Sequence, residues 1–368
     1  MYRQFRKSHP ACLPRQFFGQ KIPAVDIFFS DEEFGYNTAM KYSAFFSTGA
    51  IFGTGLIAGY ALFLLVRSGD FEQPETASRQ VRQVGEYRYI NPLLECEVAG
   101  GTLDARKQNF RESLSQAIEN IKEKSQLTEA AVYFRDLNNG PAFGVDEGGE
   151  FFPASLLKVP VMMAFYRWSE HEPRLLSSEV LFEAPYDFGV KVSIKPREEL
   201  VPGTKYTIEE LIRRMIVFSD NQALALLTAR LPQERIRDLF NLLGVGEDVL
   251  VDQKGKLTVK EYAGFFRILF NSSYLTRENS DRALMLLSST DYHDALPAGV
   301  APGVIIAHKF GEAGTGTTER QLHDCGIVYF PNHPYLACIM TRGKEVDKLK
   351  NSIVEISKFI YEKIDEQY

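Results

Sequence analysis

FFPASLLKVPVMMAF, residues 151–165, places Ser155 directly after Pro153 and Ala154 at the predicted start of a helix, with Lys158 three residues further on. That spacing sets a hydroxyl and an amine on one helical face, one turn apart. A serine is a poor nucleophile unless a base takes its proton. A lysine serves as that base when desolvation or a neighbouring cation makes its amine neutral. The N–H groups at the start of the helix are free to stabilise a developing oxyanion.

Two further stretches carry side chains of matching chemistry. In RRMIVFSDNQALALL, residues 213–227, Ser219, Asp220 and Asn221 fall at the junction of two predicted helices, where a loop projects one hydroxyl and one amide while Asp220 ties it down. In VIIAHKFG, residues 304–311, Lys309 ends an apolar strand beside Phe310 and Gly311, a cation with open space for a substrate backbone.

The element order around these motifs indicates the fold class. Phe110, Leu114, Ile118 and Ile121 share one face of a helix predicted over 103–121. Strands follow at 130–134 and around Phe143, separated by Asn138, Asn139, Gly140 and Pro141. Helices dominate from Ser155 to about residue 287, including 208–217, 221–231, 233–243 and 259–270. Strands return at 304–309, 325–330 and 335–340, with PNHP turning the last pair, and Val346, Leu349, Ile353, Ile356, Ile360 and Ile364 mark a closing helix. Antiparallel strands split between the two ends of the domain, with helices between them, predict an α+β domain with an inserted all-helical lobe. The cleft between lobe and sheet is the expected site of chemistry.

The three motifs, in this order and on these element types, resemble the serine penicillin-recognising enzymes, the class A β-lactamases and penicillin-binding proteins. The resemblance covers most of residues 100–368 and includes the helix LTVKEYAGFFRILF, residues 257–270. It implies a β-lactamase/transpeptidase-like fold, an antiparallel sheet flanked by terminal helices. By it, Ser155 is the acylated nucleophile, Lys158 its base or proton relay, and Ser219 passes a proton to the leaving nitrogen. Asn221 holds a substrate amide and Lys309 supplies positive potential for a substrate carboxylate. Gly311 opens space beside the strand, and the N–H groups of Ser155 and Glu312 form the oxyanion hole. No cofactor is implied.

The chain departs from the family pattern at two places. Phe310 stands where the family usually has a threonine or serine whose hydroxyl bonds the substrate carboxylate. The stretch GVGEDVLVDQKGKLT, residues 244–258, is short and has no ExxLN pattern of the kind that drives water onto the acyl-enzyme; Glu247, Asp248 and Asp252 are its carboxylates. Arg320 reads as a surface residue, with contact to a substrate carboxylate as the alternative; His308 and His323 read as structural, and the histidines have no metal spacing.

Outside this domain the decisive feature is an uncharged run of 25 residues from Tyr42 to Val66, bounded by Lys41 and Arg67. About 20 apolar residues cross a bilayer core, so this run is expected to be a transmembrane helix. A preceding tail of about 40 residues and the length of the run argue against a cleaved signal peptide. The organisation expected is a cytoplasmic tail over 1–41, a membrane helix over 42–66, a polar linker over 67–88 and the hydrolase domain over 89–368. Gly49 with Gly53 and Gly55 with Gly59 add a weak suggestion of helix self-association.

Composition bounds the rest. The chain has 368 residues, 45% hydrophobic and 24% charged, near the averages for folded proteins, which excludes wholesale disorder and a multi-spanning membrane protein. Its net charge is −6, with ten basic against eight acidic residues over 1–88 and the acidic excess confined to the remainder. An acidic main body argues against nucleic acid as a partner. Four scattered cysteines make neither a disulfide scaffold nor a zinc site; Cys325 and Cys338 flank a hairpin turn, leaving a cross-strand bridge open. The expectation is a membrane-anchored, extracytoplasmic serine hydrolase that opens β-lactams through Ser155. The alternatives are a D,D-carboxypeptidase or transpeptidase on peptidoglycan stem peptides, and a penicillin-binding protein with little turnover. The sequence sets no oligomeric state.

Overall fold

Strand β1 (Glu129–Asp136) is apolar on both faces, and the fold explains why. Its Ala130, Val132 and Phe134 face one layer of helices, while Ala131 and Tyr133 face another. The computed structural model describes residues 87–92, 105–138, 142–188, 194, 196–246, 249, 255–314 and 318–368. The chain divides into two units, Met1–Arg79 and Gln80–Tyr368, and all described residues lie in the second.

β1 is followed by β2 (Ala142–Val145) and a short β3 (Glu150–Phe151). β7 (Ile306–Ala313), β8 (Arg320–Val328) and β9 (Tyr335–Gly343) come from the far end of the domain. The five long strands form one antiparallel sheet in the order β2-β1-β9-β8-β7. α1 (Ala105–Ser125) and α8 (Val346–Asp365) cover one face, burying Leu114, Ile118, Ile353, Ile356 and Ile360 against Val132, Phe134 and Ile339. Each such side chain contributes roughly 1.5–3 kcal/mol of transfer free energy. Phe110, Phe134 and Phe143 meet with ring centroids 5.1–5.2 Å apart.

The other face receives the helical lobe. A 3-10 turn (Ala154–Leu157) runs into α2 (Lys158–Ser169), followed by the hairpin β4 (Glu179–Phe182) and β5 (Thr204–Thr207). Then come α3 (Ile208–Val217), α4 (Asn221–Thr228), α5 (Gln233–Leu243), β6 (Leu257–Thr258), α6 (Val259–Phe270) and α7 (Arg277–Leu287). α6 starts at a reciprocal capping box between Thr258 and Glu261, and α5 ends on Gly244 at φ +70°, a left-handed position that suits glycine.

The predicted helices 208–217, 233–243 and 259–270 match the observed bounds. α4 is shorter than predicted, since Ala229 and Arg230 turn the chain before Leu231. The C-terminal strands are offset from their apolar runs: β7 starts at Ile306, not 304, and includes Phe310–Ala313, and β8 starts at Arg320 and ends at Val328, short of 330, because pairing in register with β8 and β9 satisfies backbone that the hydropathy pattern leaves unmarked. The hairpin β4–β5 carries no clear apolar alternation and was not predicted. Cys325 and Cys338 are register partners on β8 and β9 and are joined as a disulfide. The predicted membrane segment 42–66 lies outside the described residues; among those described, no helix is long and apolar enough to cross a membrane.

Candidate active site

Pro153 and Ala154 turn the chain sharply before Ser155. Ala154 sits at φ +48°, a left-handed conformation that costs a non-glycine residue roughly 1 kcal/mol. The surroundings hold it there. Phe152 N–H donates to Gln321 Oε1 at 3.0 Å, and Phe152 O accepts from His323 Nε2 at 3.1 Å. His323 Nδ1 accepts from Thr341 N–H at 3.3 Å, so the proton resides on Nε2, and burial lowers this imidazole to a pKa of about 4. The turn is closed by Leu156 N–H to Pro153 O at 2.9 Å, and Tyr262 Oη donates to Leu156 O at 3.0 Å. The lobe, through Tyr262, and the sheet, through Gln321 and His323, therefore fix the same turn.

Lys158 lies one turn on and is fully buried. Its Nζ is 2.9 Å from Ser155 Oγ, 3.0 Å from Ser219 Oγ, 2.6 Å from Ser219 O and 2.7 Å from Asn221 Oδ1. Burial drives its pKa down to about 7, opposed by the negative charge of Asp220. Four oxygens exceed the three N–H groups of an ammonium. The carbonyl of Ser219 and the amide oxygen of Asn221 accept only, so they take two N–H groups, while the two hydroxyls are free to donate. A neutral Lys158 thus turns its lone pair toward a hydroxyl, and Ser155 is within reach to donate to it.

The loop between α3 and α4 delivers the second group of side chains. Ser219 adopts φ +56°, which brings both its carbonyl and its hydroxyl onto Lys158. Asp220, which is buried, caps α4 by accepting from Gln222 N–H at 2.7 Å and Ala223 N–H at 3.3 Å. Burial raises its carboxyl pKa.

From the sheet side, edge strand β7 brings Lys309, also fully buried, to 3.0 Å from Ser219 Oγ and 3.0 Å from Phe310 O. Burial, then repulsion from Lys158, pushes its pKa well below the usual lysine value. Gly311 is required by the packing: a Cβ there would lie 2.9 Å from Pro153 O and 3.0 Å from Leu156 Cγ. Strand and nucleophile turn thus come together at the one residue without a side chain. His308 is held by Asp324 at 2.8 Å, and Asp324 also accepts from Leu296 N–H at 3.0 Å.

Ser155, Lys158, Ser219, Asn221 and Lys309, expected from sequence to act together, are thus joined by hydrogen bonds, with Gly311 against the nucleophile turn. The carbonyl oxygen of Asn221 is taken by Lys158, and its NH₂, the group that would hold a substrate amide, is directed elsewhere. Glu312 forms an ion pair with Arg320, a half-buried residue. Glu247, Asp248 and Asp252 lie outside the described residues. The sequence reading missed Tyr292, whose ring packs against that of Phe310 with centroids 4.2 Å apart, and Tyr262; neither stands in a motif, and only the fold brings them to the site.

Among the described residues no set of histidine, cysteine and carboxylate side chains is arranged to hold a metal ion. The arrangement is that of a nucleophile with a lysine base, a second hydroxyl as proton carrier and a second amine behind it.

A family model described as the beta-lactamase enzyme family matches residues 113–364. No curated protein sequence matches significantly. Among solved structures, an acyl-enzyme complex of a PBP-A mutant with penicillin G is 23% identical at a TM-score of 0.59, covering 69% of this chain and 97% of that one. PBP-A itself is 24% identical at 0.58, over 69% and 96% of the two chains. A beta-lactamase from Sphaerobacter thermophilus DSM 20745 is 19% identical at 0.56, over 68% and 95%. At these identities the likeness is one of fold.

Proposed function

The chain belongs to the beta-lactamase enzyme family, a family of serine hydrolases, and from that premise we propose that Ser155 forms an acyl-enzyme with β-lactams in a domain held outside the cytoplasmic membrane. The observation that carries the reading is the hydrogen-bonded chain Ser155–Lys158–Ser219–Lys309, each link 2.9–3.0 Å. Ser155 Oγ attacks the lactam carbonyl carbon, forming the C–O bond while its proton passes to neutral Lys158. As the C–N bond breaks, a proton from Ser219 goes to the leaving nitrogen and Lys158 restores it. The N–H groups of Ser155 and Glu312 are the proposed oxyanion donors. No cofactor takes part in these steps.

A second reading, a D,D-peptidase or slowly turning-over penicillin-binding protein, is favoured by one sequence observation: residues 244–258 lack the ExxLN pattern. It uses the same acylation apparatus and differs in the fate of the acyl-Ser155 ester. In the acyl-enzyme complex of a PBP-A mutant with penicillin G, a protein of this fold is held in that state.

Intact-protein mass spectrometry after a short penicillin pulse tests both. One added penicillin mass, absent in Ser155→Ala, is expected. Its persistence for minutes favours the second reading, and return of the free mass within seconds favours the first. Equal labelling of Ser155→Ala would remove the proposal altogether.

The membrane placement rests on the uncharged run 42–66. Protease added to intact spheroplasts is expected to remove the domain beyond Arg67 and spare the tail. A fully protected domain would place it in the cytoplasm.

A further inference from the structure

Past Ser219, the wall of the site is aromatic and its cations are already engaged. Lys309 Nζ donates to Ser219 Oγ and Phe310 O, both at 3.0 Å, and lies 3.9 Å from the centre of the Phe310 ring. Two hydrogen bonds and a ring face account for the three N–H directions of an ammonium. The amine is fully buried, so a ligand reaches it only by displacing one of these partners. Arg320, the other cation close by, is ion-paired with Glu312. Phe310 is only 4% exposed and packs against half-buried Tyr292, the two rings tilted by 35° with centroids 4.2 Å apart. Burial, followed by the carboxylates of Asp324, Asp294, Glu312 and Asp347, holds the Tyr292 hydroxyl un-ionised, well above the usual tyrosine pKa.

A carboxylate entering here would exchange its hydration for an apolar ring, with the N–H groups of Lys309 already directed at Ser219 Oγ, Phe310 O and the Phe310 ring. An amide or ester loses less on desolvation and gains contact with the rings. We propose that the subsite walled by Phe310 and Tyr292 takes an uncharged group of the acyl donor, so that substrates with an amide or ester in this position are acylated in preference to those with a free carboxylate. The proposal rests on the acyl-enzyme reading above and specifies the substrate class of that site.

The test compares second-order acylation rates of the full chain with benzylpenicillin and with its methyl ester, both followed by intact mass. The wild type is expected to react with the ester at least as fast as with the acid. Phe310→Thr, which supplies a hydroxyl donor in place of the ring, is expected to move the acid-to-ester ratio toward the acid by about tenfold or more, the scale of one hydrogen bond to a charged group. A wild type that prefers the acid tenfold or more overturns the proposal while leaving acylation at Ser155 intact. Labelling by neither compound overturns both. The wild-type comparison decides even where Phe310→Thr fails to fold, and an unchanged ratio in a folded Phe310→Thr variant also overturns the proposal.

Discussion

Lys158 and Lys309 converge on the same atom, Ser219 Oγ, each with its Nζ at 3.0 Å and each a fully buried amine. Two ammonium groups on one hydroxyl in a desolvated site repel strongly, so they are not both protonated near neutral pH. The arrangement fixes Ser219 as well. Once Lys158 has taken the Ser155 proton, its third N–H is directed at Ser219 Oγ beside that of Lys309, which leaves the hydroxyl hydrogen of Ser219 free to go to a leaving group.

Because burial lowers Lys158 to a pKa of about 7 and the proposed base is its neutral form, the acylation rate is expected to rise as pH increases through about 7 and then level off. Lys158→Ala is expected to lower acylation by roughly 10²-fold or more and to abolish that inflection. Stopped-flow acylation with a chromogenic cephalosporin from pH 5 to 9 measures both, and a flat wild-type profile contradicts the assignment.

Asp220 tunes that profile from a distance. Its charge favours protonated Lys158, so Asp220→Asn, which keeps an N-cap oxygen for Gln222 and Ala223, is expected to move the inflection to lower pH. Asp220→Ala removes the cap as well and is expected to cost about 0.5–2 kcal/mol of stability by denaturant titration. An inflection at unchanged pH in Asp220→Asn would show that the coupling is screened.

The lowered Lys158 pKa also has a stability consequence. Between about pH 7 and the ordinary lysine value of 10.5, the unfolded chain binds a proton on Lys158 that the folded chain does not, so this group makes folding more favourable as pH rises across that window. Lys158→Met lacks the term. The difference in unfolding free energy between wild type and Lys158→Met is expected to shift toward the wild type from pH 7 to 10. A pH-independent difference would mean that the lysine titrates alike in both states.

Ala154 occupies a backbone conformation suited to glycine. Ala154→Gly is expected to relieve up to about 1 kcal/mol of strain while loosening the nucleophile turn, raising thermal stability and slowing acylation together. Gly311→Ala acts in the opposite sense: its methyl group meets the backbone oxygen of Pro153 at 2.9 Å, so a loss of about 1–3 kcal/mol and of most acylation is expected. Thermal unfolding and penicillin labelling of the two variants check both expectations.

The motif residues were legible in the sequence because each is a polar group at a characteristic place: Ser155 and Lys158 one turn apart, Ser219 to Asn221 at a helix junction, Lys309 at the end of an apolar strand. The helices were legible where apolar periodicity is strong, as in α3 and α6. What the sequence did not show are relationships that only packing creates. Lys309 is buried and bonded to Ser219 because β7 is the sheet edge next to the nucleophile turn, and no spacing along the chain encodes that neighbourhood. The Tyr292–Phe310 contact joins a loop to a strand across the fold. Asn221 was read as a ligand contact, and its grip on Lys158 follows from the left-handed turn at Ser219, which no residue type announces.

Because β1 pairs along its whole length with β9, the centre of the sheet joins segments made early and late during synthesis. Ribosome-bound chains that have released the helical lobe already contain Ser155, Lys158 and Ser219, yet they lack the strand that supplies Lys309 and the strand that completes the sheet. Until β9 emerges, Ala131 and Tyr133 on β1 have no sheet partner on that edge, and the α1 face of β1 lacks α8. Long-range pairing of this kind slows folding and leaves unpaired edges exposed to other chains. Nascent-chain yield should therefore depend on chaperone protection during this interval more than on the stability of the finished domain.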